Sequence, residues 1–199
     1  MAIYLKNTLF IHIPKTGGRW IKEMIIKNVK NHTIYGDAIY DAHACPDSKG
    51  KNVFTFVRHP ATFCHSLWHH RAKNKLNKLG HKFNWQNYIR LEKDCQSTDY
   101  NTFMNNVVKN ENVVRDYYKY YTDRYENIVF GKMENLCQSF IEILKKFNEE
   151  FDEHAIRISG NFQIGKGSYK NLISQKHVDA ICGSEKYICE KFKYSNNIN

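Results

Sequence analysis

The residues best suited to chemistry lie near the start of the chain, in Pro14-Lys15-Thr16-Gly17-Gly18-Arg19-Trp20. Lysine and arginine bring full positive charges, and the two glycines let the backbone approach a ligand closely. Behind them Thr8 to Ile13 is short, apolar and β-branched, and ahead of them apolar residues recur at Ile21, Ile25 and Val29. Strand, glycine turn and helix is the order in which a chain aims the free N–H groups of a helix start at an anion. The same order serves an ordinary strand-to-helix turn with a solvated lysine, so this stretch alone leaves both readings open.

A second stretch repeats the plan. Val53 to Val57 reads as an apolar strand that stops at Arg58-His59-Pro60, and a helix is predicted from Ala61 to about Ala72, with proline near its first position. Arg58 then stands at the carboxyl end of its strand, as Lys15 does, and offers a fixed fork of donors to a phosphate. Ser66, about two turns into the helix, could turn its hydroxyl toward the same anion. Ligands of open α/β sheets bind beyond the carboxyl ends of the strands, so the two loops are expected to face one crevice.

The elements that must position these residues follow from the pattern. A short strand is predicted near Thr33 to Tyr35, a third main strand at Asn127 to Phe130, and helices at Trp85 to Cys95, Tyr100 to Val108, Met133 to Asn148 and Ser174 to Phe192. Strands separated by helices imply an α/β fold: three layers, a mostly parallel central sheet, and a P-loop-like strand-loop-helix phosphate site. No repeat or linker divides the chain, so a single domain over 1–199 is expected. The tyrosines at 117, 118, 120, 121 and 125 read as interface or partial core.

Composition narrows the partners. The 199 residues are 42% apolar and 14% aromatic, enough for one core, and 30 Lys+Arg against 20 Asp+Glu leave a net charge of +10. That excess favours anions: nucleotide phosphates, sulfated sugars, nucleic acid or a membrane surface. Cys45, Cys64, Cys95, Cys137, Cys182 and Cys189 form no CxxC pair or regular framework, which fits a reduced protein. Cys182 and Cys189, seven apart on one expected helix, are predicted to pack rather than bond. No signal segment or membrane-length apolar run is visible, so a cytoplasmic location without a membrane span is expected.

The two motifs together resemble sulfotransferases that use 3′-phosphoadenosine-5′-phosphosulfate (PAPS), of the small bacterial type related to the heparan-sulfate and carbohydrate enzymes. Ile11-His12-Ile13-Pro14-Lys15-Thr16-Gly17-Gly18 is similar to the family's 5′-phosphosulfate loop. Phe56 to Trp68 is similar to its 3′-phosphate strand and helix, in which an arginine and a serine eight residues later, here Arg58 and Ser66, grip the phosphate. Phe130-Gly131-Lys132-Met133-Glu134-Asn135-Leu136 resembles the G-(R/K)-x-E-N-L stretch of small bacterial members. Gly165-Lys166-Gly167-Ser168-Tyr169 resembles the late basic loop that closes over the 3′-phosphate and adenine. Arg19-Trp20 stands where many members have Thr-Ser or Thr-Thr, and heparan-sulfate 3-O-sulfotransferases resemble the chain in an arginine at Arg19 and a glutamate at Glu23.

The resemblance implies transfer of a sulfuryl group from PAPS to an acceptor hydroxyl, of a carbohydrate or other small molecule, leaving 3′-phosphoadenosine-5′-phosphate. It implies donor contacts from Pro14 through Trp20, from Arg58 and Ser66, and from Lys166, Gly167, Ser168 and Tyr169. Lys15 would neutralise the leaving phosphate, and His43 or Glu23 would serve as general base, His43 being preferred for its His-Ala context. No metal is expected: His65 and His69 stand four apart on a helix, but no third ligand accompanies them. Two rivals remain. A P-loop-like nucleotide kinase would need glycine directly before its lysine, where Pro14 stands. A non-catalytic polyanion or nucleic-acid binder explains the charge but neither motif, so nucleic acid is not the expected partner.

Overall fold

The computed structural model describes residues 2–36, 45–73, 88–159 and 173–198. The chain groups into two compact units, Met1–Arg58 with Tyr121–Ile164, and His59–Tyr120 with Gly165–Asn199. Nothing in the composition marks that division.

The first unit holds a five-stranded sheet. Its strands are β1 (Ala2–Tyr4), β2 (Thr8–Ile11), β3 (Thr33–Tyr35), β4 (Asn52–Val57) and β5 (Ile128–Lys132), in spatial order β3-β1-β2-β4-β5. Pairing is parallel between β2 and β4 and between β4 and β5, with Phe10 opposite Phe54 and Val57 opposite Lys132. It is antiparallel between β1 and β2 and between β1 and β3. The sheet is therefore mixed, and the expected parallel arrangement holds for its β2-β4-β5 part. The difference comes from β1, which the sequence reading passed over: a tight turn closed by Leu5 N–H to Thr8 O at 2.8 Å folds it onto β2.

Alternation along the strands gives the sheet two apolar faces. Ile3, Phe10, Phe54 and Phe56 point to one face, where helix α1 (Gly18–Asn28) brings Ile21, Met24 and Ile25. Helix α6 (Leu136–Lys146) adds Phe140, Ile143 and Leu144 to the same core. Ala2, Leu9, Ile11 and Val53 line the opposite face with Tyr125 and Ile128. A short helix at Glu153–Ser159 buries Ile156 in the first of these cores.

The second unit is helical. It contains α2 (Pro60–Trp68), which runs into a π-helical turn at His69–Lys73, then α3 (Arg90–Asp94), α4 (Tyr100–Lys109) and most of α5 (Val113–Thr122). It closes with α8 (Gln175–Ser184) and α9 (Lys186–Lys191), counting Glu153–Ser159 as α7. The single closing helix expected from Ser174 to Phe192 is thus two, broken at Glu185. That carboxylate is fully buried and accepts the Val114 N–H at 2.7 Å and the Arg115 N–H at 3.1 Å, capping the start of α5. Among the described residues no helix is long and apolar enough to cross a membrane.

Candidate functional site

The stretch from His12 to Arg19 leaves β2 and enters α1 through a turn with two left-handed residues, Lys15 at φ 67° and Gly17 at φ 90°. Glycine adopts that conformation without strain; lysine does so at a cost of about 1 kcal/mol, held here by its surroundings. One such restraint is Thr16, whose buried hydroxyl donates to Ile13 O at 2.8 Å and pins the turn to the strand end.

Gly17 caps α1, with Trp20 N–H bonded to its carbonyl at 3.0 Å. A helix leaves its first N–H groups without intrahelical acceptors, and here those belong to Gly18 and Arg19. No side chain caps this end and no acidic residue stands in the first turn, so nothing of negative charge on the helix itself competes for the partial positive charge there.

Two packing contacts account for the glycines. A β-carbon on Gly17 would lie 2.9 Å from Leu136 Cδ2, and one on Gly18 would lie 1.8 Å from His12 Cδ2. Leu136 closes the Phe130–Leu136 stretch, so that segment borders the turn from the β5 side. The ring of His12 lies against the helix start. The spacing of His12 and Gly18 within the Ile11–Gly18 stretch does not reveal that contact; the turn geometry does.

Arg58 directly follows β4, which is hydrogen-bonded to β2, and is 6% exposed. Its Nη1 donates to Lys15 O at 3.4 Å. The lysine turn and the arginine therefore adjoin at neighbouring strand ends, bringing Lys15, Arg58 and the α1 start together. Thr55, earlier on β4, ties the strands further through its hydroxyl to Ile11 O at 2.7 Å.

The remaining predicted residues fall as follows. Pro14 is buried at the head of the turn, and Arg19 is exposed on the first turn of α1. Trp20 points inward: its indole packs edge-on against Phe140, with centroids 5.9 Å apart, and its Nε1–H donates to Ser159 O at 3.4 Å. Glu23 is exposed on α1 and ion-paired with Lys27 at 2.7 Å. That hydrogen bond, helped by the Lys27 and Arg19 charges, holds its carboxyl below the usual glutamate range. Ser66 lies half-buried on α2, in the second unit. His43 and the loop residues Lys166, Gly167, Ser168 and Tyr169 lie outside the described residues. His65 and His69 have ring centroids 6.5 Å apart, and no group of three His, Cys, Asp or Glu among the described residues could hold a metal ion.

No protein-family model matches the chain, and no curated protein or solved structure does either.

Proposed function

We propose that the chain is a sulfotransferase that moves a sulfuryl group from PAPS to an acceptor hydroxyl, that of a carbohydrate or another small molecule. The observation that carries this reading is the meeting of Arg58 with the Lys15 turn at adjacent strand ends. The resemblance assigns those two positions to opposite phosphates of a single donor nucleotide. A glycine turn filled to the limit by His12 and Leu136, opening onto uncapped helix amides, suits the 5′-phosphosulfate.

PAPS supplies a sulfur already bonded to a good leaving phosphate, so little covalent work falls to the protein. Lys15 and the Gly18 and Arg19 amides neutralise charge at the leaving oxygen. Arg58 holds the 3′-phosphate and fixes the nucleotide's register; Ser66 enters only by the resemblance, which assigns it to the same phosphate. His43 takes the acceptor's proton as its oxygen bonds to sulfur and the bond from sulfur to the 5′-phosphate breaks. The resemblance assigns Lys166, Gly167, Ser168 and Tyr169 to the 3′-phosphate and adenine end.

Thermal stabilisation tests the reading. The protein is compared with 3′-phosphoadenosine-5′-phosphate, ADP, ATP with magnesium, and a DNA oligomer. Selective stabilisation by the first, lost in Arg58→Ala, is the expected result; an equal response to ADP would remove the dedicated 3′-phosphate site and the proposal with it.

A further inference from the structure

His59 stands directly after Arg58 and opens α2. Its carbonyl accepts the Phe63 N–H at 2.8 Å, and its ring Nδ1 accepts the Ala61 N–H at 3.2 Å. In the neutral imidazole the second bond puts the proton on Nε2, and Ser195 O, 136 residues along the chain, lies 3.0 Å from that nitrogen. One ring nitrogen thus serves the helix start and the other holds the segment that follows α9. The residue is 4% exposed; its ring packs edge-on against Tyr194, with centroids 5.2 Å apart, and Nε2 lies 3.6 Å from Cys182 Sγ.

The end of α9 is built to deliver Ser195 there. Lys193 is left-handed at φ 49°, its N–H donates to Glu190 O at 3.1 Å, and the Tyr194 N–H donates to Cys189 O at 2.8 Å. These are the two bonds of a Schellman end, which turns the chain back on leaving a helix. Lysine takes this conformation less readily than glycine, so contacts beyond the turn must hold it. They come from Tyr194 and Ser195 at His59, and from Gln175, whose Nε2 donates to Asn196 O at 2.7 Å.

We infer that His59 is a positioning residue for the proposed donor site: by clasping residues 194–196 it fixes the main chain from which Arg58 projects. The inference rests on the reading of Arg58 as the 3′-phosphate residue. Arg58 has β4 on one side and the His59 peptide on the other, and the pairing of Val57 with Lys132 secures only the first. The clasp secures the second. Were Ser195 O withdrawn, the Nε2 proton would lose its oxygen acceptor, and the ring could reach water only by turning away from Ala61 and giving up the cap of α2. A guanidinium fork needs a fixed approach to set two donors on one phosphate, so loosening at His59 acts on 3′-phosphate recognition in particular.

The test titrates the full chain and its variants with 3′-phosphoadenosine-5′-phosphate and with adenosine 5′-monophosphate, which lacks the 3′-phosphate, and reads the ratio of the two affinities. Deletion of residues 194–199 removes the clasp and leaves His59 in place. His59→Asn keeps an oxygen for the Ala61 N–H but falls short of Ser195, whereas His59→Gln puts a donor back at the position of Nε2. The ratio should fall about tenfold in the deletion and in His59→Asn, and recover in His59→Gln. Should the deletion fail to fold, the two His59 variants decide. An unchanged ratio, no recovery in His59→Gln, or an equal loss of both affinities, which a merely structural role would give, overturns the inference and leaves the sulfotransferase reading standing. A wild type that binds the two nucleotides equally removes that reading, and this inference with it.

Discussion

Gly18 and the ring of His12 share a space too small for one more methyl group: a β-carbon on Gly18 would stand 1.8 Å from His12 Cδ2. The obstacle is a ring near the strand end, not the far end of a flexible side chain. Gly18→Ala should therefore destabilise the protein by about 1–3 kcal/mol through overpacking. In a His12→Ala background the clash disappears and the helix preference for alanine over glycine, up to about 1 kcal/mol, remains. The same substitution should then be neutral or stabilising. Urea denaturation of the four-member cycle checks this, and equal costs in both backgrounds would show that the ring is not the cause.

That contact also shows how far sequence reasoning reaches. The strand-turn-helix units at Lys15 and Arg58 were legible because apolar strands ending at glycine or proline are local signals, and the structure has β2, α1, β4 and α2 there. What was not legible was mostly non-local. The three residues of β1 are too few to show alternation, and their pairing depends on the Leu5–Thr8 turn. The α5 helix was hidden by its tyrosines, although Val113, Val114, Tyr117, Tyr118 and Tyr121 are buried at helical spacing. The break at Glu185 reflects a carboxylate drawn inward to cap a segment some 70 residues away, a demand no window around it contains.

Glu185 should make stability depend on pH. Burial raises its carboxyl from 4.5 to about 7, with Asp116 adding to the rise, while the Val114 and Arg115 amides and the Arg115 charge oppose it. The folded state thus holds a proton that the unfolded chain has released. Its contribution is complete below about pH 4.5 and is lost as pH rises toward 7, by on the order of 3 kcal/mol. Glu185→Gln keeps an acceptor without the charge, so denaturation between pH 4.5 and 7 should show a flatter profile than wild type. Parallel profiles would assign the dependence to other groups.

Arg71 and Glu92 form a buried pair. Arg71 Nη2 donates to Glu92 Oε1 at 2.8 Å, Nε stands 2.8 Å from Oε2, and the Tyr117 hydroxyl donates to Oε1 at 3.3 Å. Their side chains are 8% and 0% exposed, so removing either partner strands a charge away from water. Glu92→Ala should cost about 3–5 kcal/mol, whereas Arg71→Met with Glu92→Leu should recover most of that loss. The arrangement anchors the π-helical turn at His69–Lys73, which follows α2. Chemical denaturation of the single and double variants checks the difference, and a double variant no better than the single would mean that the pair itself, not the stranded charge, carries the stability.

The choice of base follows from the same kind of accounting at Glu23. A general base works best with a pKa near the operating pH. The Glu23 carboxyl is held below its ordinary range by Lys27, sits in solvent, and is already occupied as a hydrogen-bond acceptor at 2.7 Å. A histidine titrates near 6.5 without any perturbation. On the proposed reaction, His43→Ala should lower turnover by about 10²–10⁴-fold while Glu23→Gln leaves it nearly unchanged. The pH profile supplies an independent reading. The acid limb of kcat/KM should fall near pH 6.5 if histidine is the base, and below about 4.5 if Glu23 is. A low-pH limb together with a large Glu23→Gln effect would move the proton-accepting role onto α1.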